Sequence, residues 1–388
     1  MNSFVPYGRQ DISPADIEAV VRVLRSDYLT QGSVVPRFEE AVAKYCGANY
    51  AVAVNSATSA LHIGCLALGV GPGDLVWTSP ITFVASANCA KYCGADVDFV
   101  DIDPLTYNLS IDRLEEKLVT AKALGRLPKV LIPVHFCGQS CDMERIGALA
   151  KQYGFRVIED ASHAIGGRYK DAAIGCGQYG DITVFSFHPV KVITSGEGGM
   201  ALTNDGQLSA RLELLRSHGI TRDPDAMRTP KKEPWYYEQL CLGYNFRMTD
   251  IHAALGLSQF DRLDAFVAQR NTLAKRYDRL LANLPLQLPV VTPENYSAFH
   301  LYVVRLDRRK THHTQTEILQ GLRAQNIGAN LHYLPVHLQP YYRDLGFLPH
   351  TFSEAECYAQ EALSLPLYPS LTEAEQDRVV HALTGLLA

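Results

Sequence analysis

The chain has 388 residues, 47% hydrophobic and 20% charged, enough to build one large domain and a smaller one, and a composition that excludes intrinsic disorder. Its 36 Lys and Arg against 41 Asp and Glu leave a net charge of −5, which gives no general electrostatic reason to bind nucleic acid or an anionic membrane. The longest apolar stretches, such as residues 61–70, fall short of the ~18 residues a spanning helix needs.

The first residues, Met1-Asn2-Ser3-Phe4-Val5-Pro6-Tyr7, lack a basic segment followed by an apolar run, so no secretory signal is expected. Nine cysteines, an odd number scattered along the chain, read as reduced thiols of a cytoplasmic protein. Cys89/Cys93 and Cys137/Cys141 have CxxxC spacing. Zinc sites favour CxxC pairs with two further ligands, so both pairs read as small apolar residues and no metal is expected.

In chain order, Ser13-Pro14-Ala15-Asp16 opens a helix, with a Ser cap, Pro in the first turn and an acid three residues after the cap. A βα rhythm follows. Strands are predicted at 51–54, 75–78, 97–102, 130–134 and 156–160, and helices at 59–68, 83–92 and 143–153. Strands separated by helices predict a mostly parallel sheet covered on both faces, an α/β fold. Two more strands, 182–187 and 200–203, flank a Gly-rich turn. The polar, Pro-containing stretch 221–235 reads as a loop. A long helix over 250–281 is expected to link a large domain, 1–250, to a smaller C-terminal α+β domain, 251–388. That second domain has a predicted strand at 301–306 and helices near 314–325 and 354–363.

Three features carry chemistry. Lys191 closely follows a hydrophobic strand and precedes Gly196-Glu197-Gly198-Gly199. Burial would lower its pKa and make the amine nucleophilic; alone it could equally be a surface lysine. Asp160 ends an apolar strand, where ligands sit in open α/β sheets, and a carboxylate there can pair with a protonated pyridine nitrogen. Asn55-Ser56-Ala57-Thr58-Ser59-Ala60-Leu61 places small hydroxyl residues between strand and helix, a phosphate cradle or a simple cap. Together they supply a phosphate anchor, a ring-nitrogen partner and an aldehyde-capturing amine, the set pyridoxal 5′-phosphate requires. No G-x-G-x-x-G follows a strand, which sets a dinucleotide-binding enzyme aside.

With Thr82-Phe83-Val84-Ala85, Ile158-Glu159-Asp160-Ala161-Ser162-His163-Ala164, residues 185–199 and Gly243-Tyr244-Asn245-Phe246-Arg247-Met248-Thr249-Asp250, these motifs resemble the sugar aminotransferases of the DegT/DnrJ/StrS group over nearly the whole chain. The resemblance implies the aspartate aminotransferase-type fold and pyridoxal 5′-phosphate. It implies Lys191 as the lysine that binds the cofactor's aldehyde and shuttles a proton, with Asp160 on the pyridine nitrogen. Phe83 would stack on the ring, Ala57, Thr58 and Ser186 would hold the phosphate, and Asn245 would reach the phosphate of a neighbouring subunit in a homodimer with shared sites.

His163 stands where many relatives carry Gln, beside the cofactor's 3′-oxygen. His163 with His188-Pro189-Val190-Lys191 resembles the transaminases of pseudaminic acid biosynthesis, which aminate C4 of a UDP-linked 2-acetamido-4-keto-6-deoxy-L-sugar. By the same resemblance Tyr7, Leu29, Thr30 and Gln31 lie near the sugar nucleotide, and His332, Tyr333 and His337 close over it; His188 is a further candidate contact. L-Glutamate is the expected amino donor in a ping-pong exchange. Three rivals remain open: amination of another UDP-, dTDP- or GDP-linked keto sugar, a sugar dehydratase of the same fold, and a cofactor-binding regulator. Lys191 opposes the dehydratase, whose members carry His there, and the Lys191/Asp160 pair opposes the regulator.

Overall fold

The computed structural model describes residues 3–229, 231 and 233–388. Pro230 and Lys232, within the expected 221–235 loop, lie outside the described residues. Ser13 caps α1 (Pro14–Leu24): its Oγ accepts from Asp16 N, and the Asp16 carboxylate accepts from Ser13 N at 2.7 Å, closing a capping box.

Strands β1 (Tyr50–Val54), β2 (Leu75–Thr78), β3 (Asp96–Phe99), β4 (Val130–Ile132), β5 (Arg156–Asp160), β6 (Ile182–Ser186) and β7 (Gly199–Thr203) form one sheet in the order β1-β7-β6-β5-β4-β2-β3. From β6 to β3 every neighbour is parallel; β7 runs against both β6 and β1. Every residue of β6 and β7 is buried, as a sheet covered on both faces demands. The covering helices include α2 (Val34–Cys46), α3 (Ala57–Ala67), α4 (Ala85–Tyr92), α5 (Ile111–Ala123), α6 (Met143–Tyr153) and α7 (Gly206–Arg216). Sequence periodicity had marked α3, α4 and α6 but not α2, α5 and α7.

The continuous helix expected over 250–281 is two helices, α8 (Asp250–Phe260) and α9 (Leu263–Leu281). The break has a tertiary cause. Asp16 is fully buried and collects Ser258 Oγ at 2.7 Å, Gln259 Nε2 at 2.7 Å and Arg262 at 2.6 Å, which turns the chain against α1. Beyond α9, strands β8 (Leu286–Gln287), β9 (Tyr302–Leu306) and β10 (Ala362–Leu365) make an antiparallel sheet. Helices α10 (Gln315–Ala324), α11 (Ser353–Glu361) and α12 (Glu373–Leu387) accompany it. Val5 is fully buried against this C-terminal unit, donating to Asn326 O at 2.9 Å and accepting from Gly328 N at 2.7 Å. The chain's start is thereby carried across to its far end. No helix among the described residues is long and apolar enough to cross a membrane.

Candidate active site

The carboxyl ends of β1, β5 and β6 converge on one edge of the sheet, where ligands of open α/β sheets sit. Asp160 ends β5 and is buried. Its Oδ2 accepts from Ser86 Oγ at 2.6 Å and its Oδ1 from Ser162 N at 3.1 Å; Ser86 Oγ in turn lies 2.7 Å from Thr82 Oγ1. The adjacent carboxylate, Glu159, has a partner in His135 at 2.9 Å. Asp160 has no cation within 4.0 Å among the described residues.

Lys191 closes a turn after β6, its backbone N–H donating to His188 O at 2.9 Å. The residue keeps partial exposure, yet its amine is desolvated enough to bring its pKa down to about 8, against the opposing pull of Asp160. Its Nζ carries no hydrogen bond among the described residues. A buried carboxylate and a desolvated amine, near enough to feel each other and both unpaired, are costly unless a third group bridges them.

Around them stand three buried histidines. His163 has its pKa held well below the ordinary value by burial, then by Lys191 and His332. His332 falls to about 4 through burial and Lys191, and its Nδ1 lies 2.8 Å from Ser364 Oγ. His300, whose ring centroid is 4.4 Å from that of His163, is likewise pushed well below its ordinary range by burial first, with the nearby Lys191 charge adding to it. All three are therefore neutral near pH 7. Tyr333 Oη lies 3.3 Å from His163 Nε2, and the Tyr7 ring is 4.9 Å from His332.

The first turn of α3 completes the edge. Ser56 caps it, accepting from Ser59 N at 3.1 Å, while Ser59 Oγ donates to Asn55 Oδ1 at 2.6 Å. The amides of Ala57 and Thr58 carry no hydrogen bond among the described residues and sit at the positive end of the helix dipole, ready for an anion. Gly199, paired with Ser186 in the β6–β7 ladder, is required here: a Cβ on it would collide with Ala57 N and lie 2.5 Å from Ser56 C. Small backbone alone lets β7 pass so close to the cradle. An anion anchor, an unpaired carboxylate, an unpaired amine and an orphaned His163 Nδ1 fit the phosphate, ring nitrogen, aldehyde and ring oxygen of pyridoxal phosphate.

The fold brings Lys191, Asp160, His163, His332, Tyr333 and Tyr7 into one cluster, with Ala57, Thr58 and the buried Ser186 on the same sheet edge. Phe83 is 58% exposed, its ring 6.2 Å from Tyr333. Several other residues expected at the site are solvent-exposed in the single chain. Leu29, Thr30 and Gln31 are exposed and tied to the start of α8, with Asp250 N donating to Leu29 O at 3.0 Å. Asn245 and His188 are exposed. His337 is fully buried against Phe352, its Nε2 lying 3.1 Å from Glu356 Oε1, and makes no contact with the cluster. Sequence reasoning missed Ser86 and His300. Ser86 follows the Thr82–Ala85 motif at helical spacing from Thr82, the only local sign of its role. His300 precedes a hydrophobic strand and reads locally as an ordinary core residue.

Residues 10–384 match the DegT/DnrJ/EryC1/StrS aminotransferase family. The chain is 40% identical to the spore coat polysaccharide biosynthesis protein SpsC of Bacillus subtilis, covering 100% of this chain and 98% of that protein. It is similar to Helicobacter pylori PseC, an aminotransferase involved in the biosynthesis of pseudoaminic acid, with a TM-score of 0.89 and 30% identity over 99% of both chains. It is also similar to the putative sugar aminotransferase Spr1654 of Streptococcus pneumoniae in its PLP form, with a TM-score of 0.87 and 29% identity over 99% of this chain and 98% of that one. A match of this length means that the protein belongs to the DegT/DnrJ/EryC1/StrS aminotransferase family.

Proposed function

We propose that this sugar aminotransferase transfers the amino group of L-glutamate, with pyridoxal 5′-phosphate as cofactor, to C4 of a UDP-linked 2-acetamido-4-keto-6-deoxy-L-sugar. The product would be UDP-4-amino-4,6-dideoxy-N-acetyl-β-L-altrosamine, an intermediate of pseudaminic acid synthesis. The observation that carries the chemistry is the pair of groups without an ion-pair partner among the described residues, Lys191 and Asp160, with an anion cradle on the same edge. His163 and the likeness to PseC support the choice of sugar. The likeness to SpsC supports a second reading, amination of a different keto-sugar nucleotide. All nine cysteines are free, in keeping with the cytoplasm. The exposed Asn245, three residues after the exposed Leu242, supports a homodimer in which Asn245 reaches the partner's phosphate site.

Pyridoxal phosphate supplies an electron sink for the pair released when a C–H bond next to nitrogen is broken. Lys191 Nζ would hold the cofactor through its aldehyde and, when free, would take and return the substrate proton. Asp160, held by Ser86 and Ser162, keeps the ring nitrogen protonated. The amides of Ala57 and Thr58 hold the phosphate. The neutral histidines add no positive charge beside Lys191, so its amine remains easy to deprotonate.

Attack on an aldehyde needs the neutral amine, and burial brings the Lys191 pKa to about 8. Cofactor-free enzyme is therefore expected to take up pyridoxal phosphate faster as pH rises, about tenfold per pH unit below that value, with a plateau above it. Stopped-flow absorbance checks this. A rate that follows the titration of an ordinary lysine would show that the amine is not desolvated in solution.

A panel of 4-keto sugar nucleotides, varied in nucleotide and sugar stereochemistry and each supplied with L-glutamate, tests the substrate by mass spectrometry. The UDP-linked L-sugar is expected to be aminated best. Preference for another member favours the second reading, and the absence of 2-oxoglutarate with every member rejects transamination.

A further inference from the structure

His163 is fixed by its surroundings. Its ring lies 5.7 Å from Phe136, 4.4 Å from His300 and, stacked at 30°, 6.3 Å from Tyr333. Its Nε2 meets only Tyr333 Oη, at 3.3 Å, and its Nδ1 is buried with no partner among the described residues. Among the described residues Tyr333 Oη likewise has no partner other than His163. Burial and the nearby Lys191 charge keep the imidazole neutral, and burial keeps the phenol protonated. Each ring thus carries one hydrogen to be placed.

Two arrangements are possible. With the imidazole proton on Nε2, the His163 N–H points at the phenol oxygen. The Tyr333 hydrogen then has no acceptor and the Nδ1 lone pair has no donor. With the proton on Nδ1, the Tyr333 O–H donates to Nε2 and one open group remains, the Nδ1–H. An unmade hydrogen bond costs more than a made one returns, so the second arrangement is favoured. Its single open donor is the kind of group that a bound oxygen acceptor satisfies.

We propose that Tyr333 is a positioning residue that holds His163 in its Nδ1–H tautomer, presenting a hydrogen-bond donor to the ring oxygen of the bound cofactor. The identity of that acceptor rests on the function proposed above; the tautomer does not. Tyr333 thereby acquires a role toward the cofactor pocket besides any contact with the sugar nucleotide.

Solid-state ¹⁵N NMR of the full-length enzyme, labelled in its histidines, tests this in the presence of pyridoxal phosphate and after its removal. His163→Gln identifies the resonances by their loss. The expected result is a protonated Nδ1 and an unprotonated Nε2 in both samples. Tyr333→Phe should lower the ratio of Nδ1–H to Nε2–H by roughly five- to tenfold, the size of one net hydrogen bond. A merely structural tyrosine would leave that ratio unchanged, and such a result overturns the proposal. So does a wild-type spectrum with the proton on Nε2, a measurement that needs no variant to fold. Failure of the protein to bind pyridoxal phosphate would reject the cofactor reading while leaving the tautomer in the cofactor-free sample to be judged by itself.

Discussion

Lys191→Ala should abolish glutamate-dependent turnover, lowering kcat by at least about 10³-fold, because one amine serves both as covalent attachment and as proton carrier. No nearby group can replace it. His163, His300 and His332 are neutral, and burial with the neighbouring positive charge holds all three below the usual histidine range, too weakly basic for the proton transfers proposed for Lys191. The variant should also lose the visible absorbance of the lysine-bound cofactor, while phosphate contacts at Ala57 and Thr58 still allow reversible binding. The fold should not suffer, since a desolvated amine without a hydrogen bond is removed rather than a satisfied one. Absorbance, turnover and thermal melting on one preparation decide the matter. Retained turnover with intact colour would take Lys191 out of the reaction.

Asp160→Asn should have the second largest effect. The amide keeps the shape of the carboxylate and can still accept from Ser86 or Ser162, but it has no charge with which to hold a proton on the ring nitrogen. A loss of about 10²–10³-fold in kcat is expected, comparable to removing one preorganised electrostatic contact from an enclosed site. Stability should move the other way. The carboxylate is buried with no cation within 4.0 Å among the described residues, so neutralising it in the cofactor-free enzyme removes a desolvation cost and should leave Tm unchanged or higher. Unchanged kcat at saturating cofactor, measured beside Tm, would mean that Asp160 only shapes the strand end.

The two variants also separate the roles of the two groups. Lys191→Ala removes the attachment and leaves the ring partner. Asp160→Asn leaves the attachment, so its absorbance should persist while turnover falls.

Some of this was written in local sequence. The capping box of α1, the hydrophobic runs of β1, β2, β4, β6 and β7 and the helical spacing of α6 each depend on residues a few positions apart, and short-range sterics and hydrogen bonding determine them. The same holds for the anion cradle, whose Ser56 cap and free amides lie within one helical turn. The motifs around Lys191 and Asp160 were readable because each is contiguous. The break between α8 and α9 was not readable, because Asp16, 246 residues before Arg262, causes it. Neither was the place of His337, which is buried against Glu356 in a contact that no pattern around it announces.

By itself, then, the sequence determined the sheet-and-helix rhythm and marked the candidate amine, its candidate carboxylate and the candidate phosphate cradle, since each is encoded within a single segment. Only the tertiary structure decided that Asp160 and Lys191 stand unpaired, that Ser86 holds the carboxylate, that His163, His300 and His332 gather around the amine, and that Val5 docks on the C-terminal unit to bring Tyr7 to His332. Those facts depend on segments up to hundreds of residues apart, where burial and dielectric are properties of the assembled core rather than of any stretch of chain.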